Sequence, residues 1–201
     1  AYTLRAASVI VATGSTDRVL PFPGWTLPGV MTARAAQLFL HVHRVLPGRR
    51  VVVVGDGPDA DEVANAFAVA GAEVVARVPG VAGLQAGGDR EVEEVEVDGQ
   101  SYAADTVVLA LGRLPDPELA LQARVETVFD AAVGAHVPRR DEHLATSQPG
   151  VYVVGEAAGA VSVAEAMAEG RLAGLAAAGA PEADIAAARE ALQGLRTATS
   201  G

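Results

Sequence analysis

The sequence predicts an α/β fold with a parallel sheet and a β-meander, on three observations. First, a β-branched run, Val51 to Val54, passes directly into a glycine-punctuated loop and then a helical pattern, in VVVVGDGPDADEVA at residues 51 to 64. Second, apolar runs at residues 9–13, 106–111 and 151–154 also end in glycine. Third, between residues 81 and 104, short alternating segments are separated by glycine turns. With 201 residues and 50% apolar content the chain can bury a core as one domain or two small interlocked ones. Aromatic residues make up only 4%, so that core is expected to be small-residue packing.

Residues 1 to 14 read as a short strand, a turn and a second apolar strand ending at Thr13-Gly14, so the sequence opens in mid-sheet and an upstream segment is expected. Pro21, Pro23 and Pro28 make residues 15 to 30 an extended connector. A helix is expected from an N-cap at about Thr32 to about Arg44, with Ala35, Leu38, Phe39 and Val42 on its apolar face. Pro47-Gly48 marks the turn before the strand at Val51, and Gly71-Ala72 leads to a second parallel strand beginning at Glu73. The meander follows as Val81 to Ala86, Glu91 to Val97 and Ser101 to Ala104, turning at Gly87-Gly88 and Asp98-Gly99. In the acidic run from Glu91 to Asp98, Val92, Val95 and Val97 alternate with the charges, the pattern of a strand with one wet face. A buried strand over Thr106 to Leu111 ends at Gly112, residues 130 to 148 are extended or looped, and Val151 to Val154 form a last strand ending at Gly155-Glu156. Helices over about Val163 to Ala177 and Ala183 to Leu195 close the chain.

Composition excludes several chemistries. The net charge is −10 with no basic run, so neither nucleic acid nor an anionic membrane is a natural partner. All 15 basic residues are arginine, which removes Schiff-base and P-loop lysine chemistry. The absence of cysteine excludes a disulfide, a thiolate nucleophile and iron–sulfur ligation from this chain. No apolar run reaches membrane-spanning length, the alanine-rich stretch being broken by Glu165, Glu169 and Arg171. The first residues lack the pattern of a signal peptide, so a cytoplasmic location is expected.

The loop at residues 55–60 has the spacing of a dinucleotide-binding turn. Gly55 allows the sharp strand-to-helix turn, Gly57 lets the backbone approach a pyrophosphate, and Ala60 stands where a small residue permits close helix-to-strand packing. The helix behind it, opened by Pro58, offers N–H groups to phosphate. Asp56, Asp59, Asp61 and Glu62 crowd the same loop, and carboxylates there satisfy the helix dipole while repelling a phosphate. About 20 positions beyond the glycines, where an acidic residue usually meets a ribose, Arg77-Val78 stands instead. Arg77 is open to two readings, as a partner for a 2′-phosphate or as a solvated strand-edge arginine.

Three strand-end signatures now stand in order: VIVATGS at residues 9–15, VVLALGRLPDPELA at 107–120 and TSQPGVYVVGEAAG at 146–159. With the glycine loop among them, the chain resembles the two-dinucleotide-fold flavoproteins related to the pyridine nucleotide-disulfide oxidoreductases. The connector PFPGWTLPGVMTARAAQLFL, residues 21–40, is similar to that of the FAD/nucleotide-binding α-type subunits of heteromeric sarcosine, opine and proline oxidases and of the related hydrogen cyanide synthase.

This resemblance implies a Rossmann-like FAD/NAD(P)-binding fold. Residues 1–46 and 130–180 would be a partial FAD-binding half, 47–129 an inserted and shortened nucleotide-binding half with the meander, and 181–201 a terminal helix and tail. It implies FAD as cofactor, with NAD(P) or ATP at the second site. Thr13, Gly14, Gly155 and Glu156 would serve the FAD side, and Gly55, Gly57, Pro58, Ala60 and Glu62, with Gly112 across the crevice, the second nucleotide. The implied activity is FAD-dependent oxidation of a small amine or imino acid reached through a partner subunit in a hetero-oligomer, the isoalloxazine carrying the hydride so that no catalytic side chain is required here.

The family's first glycine loop would lie before Ala1. The helix and strand that normally precede the meander are nearly gone, since Pro79-Gly80 follows Val78 at once, and Glu156 stands in place of an aspartate. These departures, with the acidic loop, also fit a second reading as a non-catalytic dinucleotide- or ATP-binding or assembly module. His41 and His43, two apart on a helix, point to different faces and do not suit a metal. His136 and His143, among Arg139, Arg140, Asp141 and Glu142, read as a solvated surface.

Overall fold

The computed structural model describes residues 5–160 and 162–199. The expected opening strand falls largely on residues outside that range. The described residues divide between two compact units, one within Ala1–Thr16 and Leu114–Gly201, the other Asp17–Arg113.

The chain runs through β1 (Val9–Val11), β2 (Ser15–Asp17), β3 (Val30–Thr32), α1 (Ala33–Gln37), β4 (Arg50–Val54), α2 (Pro58–Val69) and β5 (Glu73–Val78). The meander β6 (Gln85–Gly87), β7 (Glu94–Val97) and β8 (Gln100–Ala103) follows, then β9 (Thr106–Leu109) and β10 (Arg113–Pro115). Last come α3 (Glu118–Gln122), β11 (Thr127–Asp130), β12 (Ala135–Pro138), β13 (Val151–Val153), α4 (Val163–Ala177) and α5 (Glu182–Thr199).

In the Asp17–Arg113 unit the sheet order is β3-β9-β4-β5, all parallel. The valine run of β4 is fully buried because both faces are covered, as the twofold repeat of a strand requires in a parallel sheet. Val51 and Val53 pack with Ala60, Val63 and Phe67 of α2, and Val52 and Val54 with Leu84, Val95 and Val107 on the meander side. The meander is a three-stranded antiparallel sheet, β6-β7-β8, in which Val92, Val95 and Val97 are buried while Glu91, Glu93, Glu94 and Glu96 are exposed. The loop from β5 reaches β6 with no intervening helix.

The connector belongs to this unit, whereas the sequence grouped residues 17–46 with the outer half. Its carbonyls explain the difference: Pro23 O accepts from Ala86 N at 2.9 Å, Pro28 O from Val92 N at 2.9 Å and Gly29 O from Val107 N at 2.9 Å. A Cβ at Gly24 would lie 1.9 Å from Ala86 O, which is why the chain can lie so close to the meander only with glycine there.

The helix after β3 departs from expectation in its buried face. Thr32 caps α1 with its side chain accepting from Ala35 N, and the helix then widens into a π-helical turn over Leu38–His43, closed by Arg44 at φ 56°. Ala33, Ala36 and Leu40, three and four residues apart, form the face toward the core, while Leu38, Phe39 and Val42 are exposed.

In the other unit β1 pairs in parallel with β13, Val9 opposite Val151 and Val11 opposite Val153. Residues 127–138 form the antiparallel hairpin β11–β12, whose second strand lies within the stretch 130–148 read as extended or looped. The long helices α4 and α5 close over Leu144 and Val154 with Leu172, Ala173, Ile185, Ala188 and Leu192, so α5 is packed into this unit rather than forming a separate tail.

Candidate functional site

The sequence-selected residues form two clusters, each at the C-terminal end of parallel strands, where α/β sheets place their ligands.

In the Asp17–Arg113 unit, Gly55 follows β4 at φ 140°, with its N–H donating to Val78 O at 2.8 Å. A Cβ on it would stand 2.0 Å from Ala110 O, so this glycine is required by the approach of the segment just after β9. Gly57 is different. It opens α2 at φ 110° with no side-chain cap, and a Cβ there would meet nothing within 4 Å, leaving free space before the helix end. Pro58 occupies the first turn, and Ala60, fully buried, packs on the sheet. Gly112, at φ 82°, likewise has nothing within 4 Å of a built Cβ, and its carbonyl accepts from Arg18 N at 2.9 Å.

The carboxylates of this loop are held sideways. Arg113 grips Asp59 through Nη2 to Oδ1 at 3.0 Å and Nε to Oδ2 at 3.3 Å. Arg77, exposed on the edge strand β5 as the strand-edge reading has it, also pairs with Asp61 of α2. Two of the four acidic groups therefore have cationic partners, while Asp56 and Glu62 are exposed. Glu62 is turned to a separate open groove lined by His41, Asn65 and Val69.

In the other unit the ends of β1 and β13 converge. Thr13 Oγ1 donates to Asp116 O at 3.2 Å, and Gly14, at φ 80°, accepts from Asp116 N at 3.0 Å. Ser15 Oγ donates to Glu156 Oε2 at 2.8 Å. A Cβ on Gly14 would sit 3.9 Å from the same carboxylate oxygen, in van der Waals contact with it. Gly155, at φ 71°, starts the 3-10 turn Gly155–Ala158 that carries Glu156.

Beneath this turn lies a charged network that sequence reasoning missed. Glu169 of α4 is 0% exposed, and its Oε2 accepts from Gly155 N at 2.7 Å and from Arg140 Nη1 at 2.9 Å. Arg140 also donates to Val153 O at 3.0 Å and to Ala158 O at 3.4 Å, and Arg196 of α5 bonds Glu169 Oε1 and Glu165. Arg140, read as surface, has a side chain only 13% exposed. The available signal was the pair of glutamates four apart in an otherwise apolar helix, one helical face that alanine spacing alone does not explain.

Among the described residues no group of three or more His, Asp or Glu side chains could hold a metal ion, and no helix is long and apolar enough to cross a membrane.

Residues 1–84 and 75–170 match the sequence model of the pyridine nucleotide-disulphide oxidoreductases. The chain is 31% identical over 215 aligned positions to an opine oxidase subunit of Agrobacterium tumefaciens (strain Ach5), covering 85% of this chain and 43% of that protein. It is 30% identical over 190 positions to the ferredoxin–NAD(+) reductase subunit of the benzene 1,2-dioxygenase system of Pseudomonas putida, covering 78% and 44%. The crystal structure of L-proline dehydrogenase from P. horikoshii superposes with a TM-score of 0.78 at 29% identity, covering 92% of this chain and 37% of that one. The chain thus spans less than half the length of these relatives.

Proposed function

This chain belongs to the pyridine nucleotide-disulphide oxidoreductase family, and on that footing we propose that it is part of an FAD-dependent oxidoreductase, the nucleotide-binding subunit of a complex that oxidises a small amine or imino acid. The observation that carries the reading is the convergence of Gly14, Ser15 and Glu156 at the ends of the adjacent parallel strands β1 and β13. The likeness to L-proline dehydrogenase and to the opine oxidase subunit supports the substrate class and, through the latter, a hetero-oligomeric complex.

The residues fit the cofactor by their hydrogen-bond acceptor chemistry. Glu156 presents carboxylate oxygens that accept from a hydroxyl, as Ser15 Oγ already demonstrates, and this suits a polyol chain. Gly14, at φ 80°, brings the β1 exit beside that carboxylate without a side chain of its own. In this reading Thr13 and Gly14 shape the exit of β1, Gly155 sets the turn, and Glu156 orients the ribityl hydroxyls. When bound, the flavin would supply the two-electron acceptor for removing hydride from the carbon beside the amine nitrogen.

The second nucleotide site is the loop of Gly55, Gly57, Pro58 and Ala60 with Gly112 opposite. Its open space at Gly57 and uncapped α2 terminus suit a pyrophosphate of NAD(P) or ATP. Glu62, also read as serving this site, lines the groove of His41 and Asn65.

The test is purification of the intact protein with its partner subunits. A flavin absorption spectrum, bleached anaerobically by an opine, proline or sarcosine, is the expected result. A colourless protein that cannot be reconstituted with FAD overturns the proposal. Tight adenine-nucleotide binding without flavin would instead favour a non-catalytic binding module.

A further inference from the structure

The geometry points to Glu169 as a positioning residue for the flavin-side turn, acting through Gly155 and Arg140 and tied by Arg196 to the last helix; this rests on the FAD assignment above. The turn Gly155–Ala158 has three of its neighbouring backbone groups gathered onto one buried pair. Gly155 N–H goes to the Glu169 carboxylate at 2.7 Å, and Arg140 takes Val153 O at 3.0 Å and Ala158 O at 3.4 Å while bonding the same carboxylate oxygen at 2.9 Å. Both ends of the turn that carries Glu156 are thereby fixed from below.

A buried carboxylate with no cationic partners would cost several kcal/mol, so Glu169 persists at 0% exposure because two guanidinium groups and one N–H surround it. That satisfied network is rigid, since moving any member leaves another without a partner. Van der Waals packing alone could seat α4 on the strand without a charge at residue 169. What the carboxylate adds is a fixed direction for Gly155 N–H, and hence for the next residue, Glu156. Ser15 Oγ at 2.8 Å from Glu156 Oε2 shows where that aim leads.

Arg196 extends the device. It bonds Glu165 Oε1 at 2.8 Å and the second oxygen of Glu169, so α5, remote in sequence from every strand end, sets the orientation of a carboxylate at the turn.

The experiment compares Glu169→Gln, Arg196→Gln and Leu192→Ala in the intact protein. Leu192 is a buried residue of the α4–α5 packing outside the charged network, so its truncation reports general destabilisation. FAD affinity is measured by titration of the apoprotein well below each variant's melting temperature, and visible circular dichroism of the flavin band is recorded at saturating FAD. Glu169→Gln should weaken FAD by about tenfold, the scale of one misplaced charge-assisted hydrogen bond, and alter the flavin dichroism. Arg196→Gln should move both in the same direction, whereas Leu192→Ala should lower the melting temperature and leave both at parental values.

Parental affinity and dichroism in the two network variants overturn the inference while leaving the FAD assignment standing. Equal loosening in Leu192→Ala does the same. If Glu169→Gln does not fold, Arg196→Gln decides by itself. A parent that takes up no FAD overturns both this inference and the assignment beneath it.

Discussion

Arg113 holds Asp59 with two of its nitrogens, at 3.0 and 3.3 Å, drawing the carboxylate of the first α2 turn toward the end of the neighbouring strand. The acidic loop is therefore not a uniform barrier to an incoming phosphate. It is a switchyard in which each arginine is engaged by an acid that a ligand would have to displace.

Replacing Asp59 by Asn should release Arg113 and tighten NAD(P) binding. Both groups are partly exposed, at 39% and 29%, so the gain is small, about 0.5–1 kcal/mol or two- to fivefold. Arg113→Ala should weaken binding by a similar factor, and both effects should shrink as salt rises. Isothermal titration at two ionic strengths is the check; an unchanged affinity in both variants would show that the pair does not face the ligand.

The two loop glycines should separate by phenotype. Gly55→Ala drives a Cβ to 2.0 Å from Ala110 O and should cost about 3 kcal/mol or more, visible in chemical denaturation. Gly57→Ala meets no atom and pays only for its φ of 110°, about 1–2 kcal/mol, yet should lose nucleotide affinity by crowding the phosphate position. Equal stability loss with intact binding in both would refute the assignment of Gly57.

The buried face of the helix after β3 makes Leu40 and Val42 unequal. Leu40→Ala removes an 8% exposed side chain from the core and should cost about 2–5 kcal/mol. Val42→Ser, at a position 66% exposed, should stay within about 0.5 kcal/mol. The reverse order in urea unfolding would favour the face of Ala35, Leu38, Phe39 and Val42 instead.

Arg140→Ala should be among the more damaging single changes in its unit, because it leaves the buried Glu169 with one cation fewer. The expected loss is about 3–5 kcal/mol, read as a drop in the denaturation midpoint at constant slope. A loss below 1 kcal/mol would mean that Arg196 alone neutralises the carboxylate.

The strands β4, β5, β9 and β13, the glycine loop, the meander and both closing helices were legible in the sequence because each is a local pattern, whereas the short strands β2, β3 and β10 were not. Four consecutive buried valines, alternating valine and glutamate, and glycine between apolar runs all declare themselves within about ten residues. The strand-end residues were legible for the same reason: Thr13-Gly14 and Gly155-Glu156 each follow directly on an apolar run. Less legible was the connector, whose proline-rich sequence says extended but not which strands its carbonyls will meet. The π turn also escaped, since one extra residue in a helix leaves no compositional mark.

The sequence by itself thus determined the α/β class, the order of the main strands and long helices and the residues at their ends, because periodicity and glycine placement are local and strong. Only the tertiary structure decided how charges are spent: Asp59 on Arg113 across 54 positions, Asp61 on Arg77 across 16, and Glu169 on Arg140 and Arg196 across 29 and 27. An ion pair depends on where two backbones arrive in space, and arginine and glutamate, at home equally in solvent and in a salt bridge, give no sign in sequence of which of the two they will occupy.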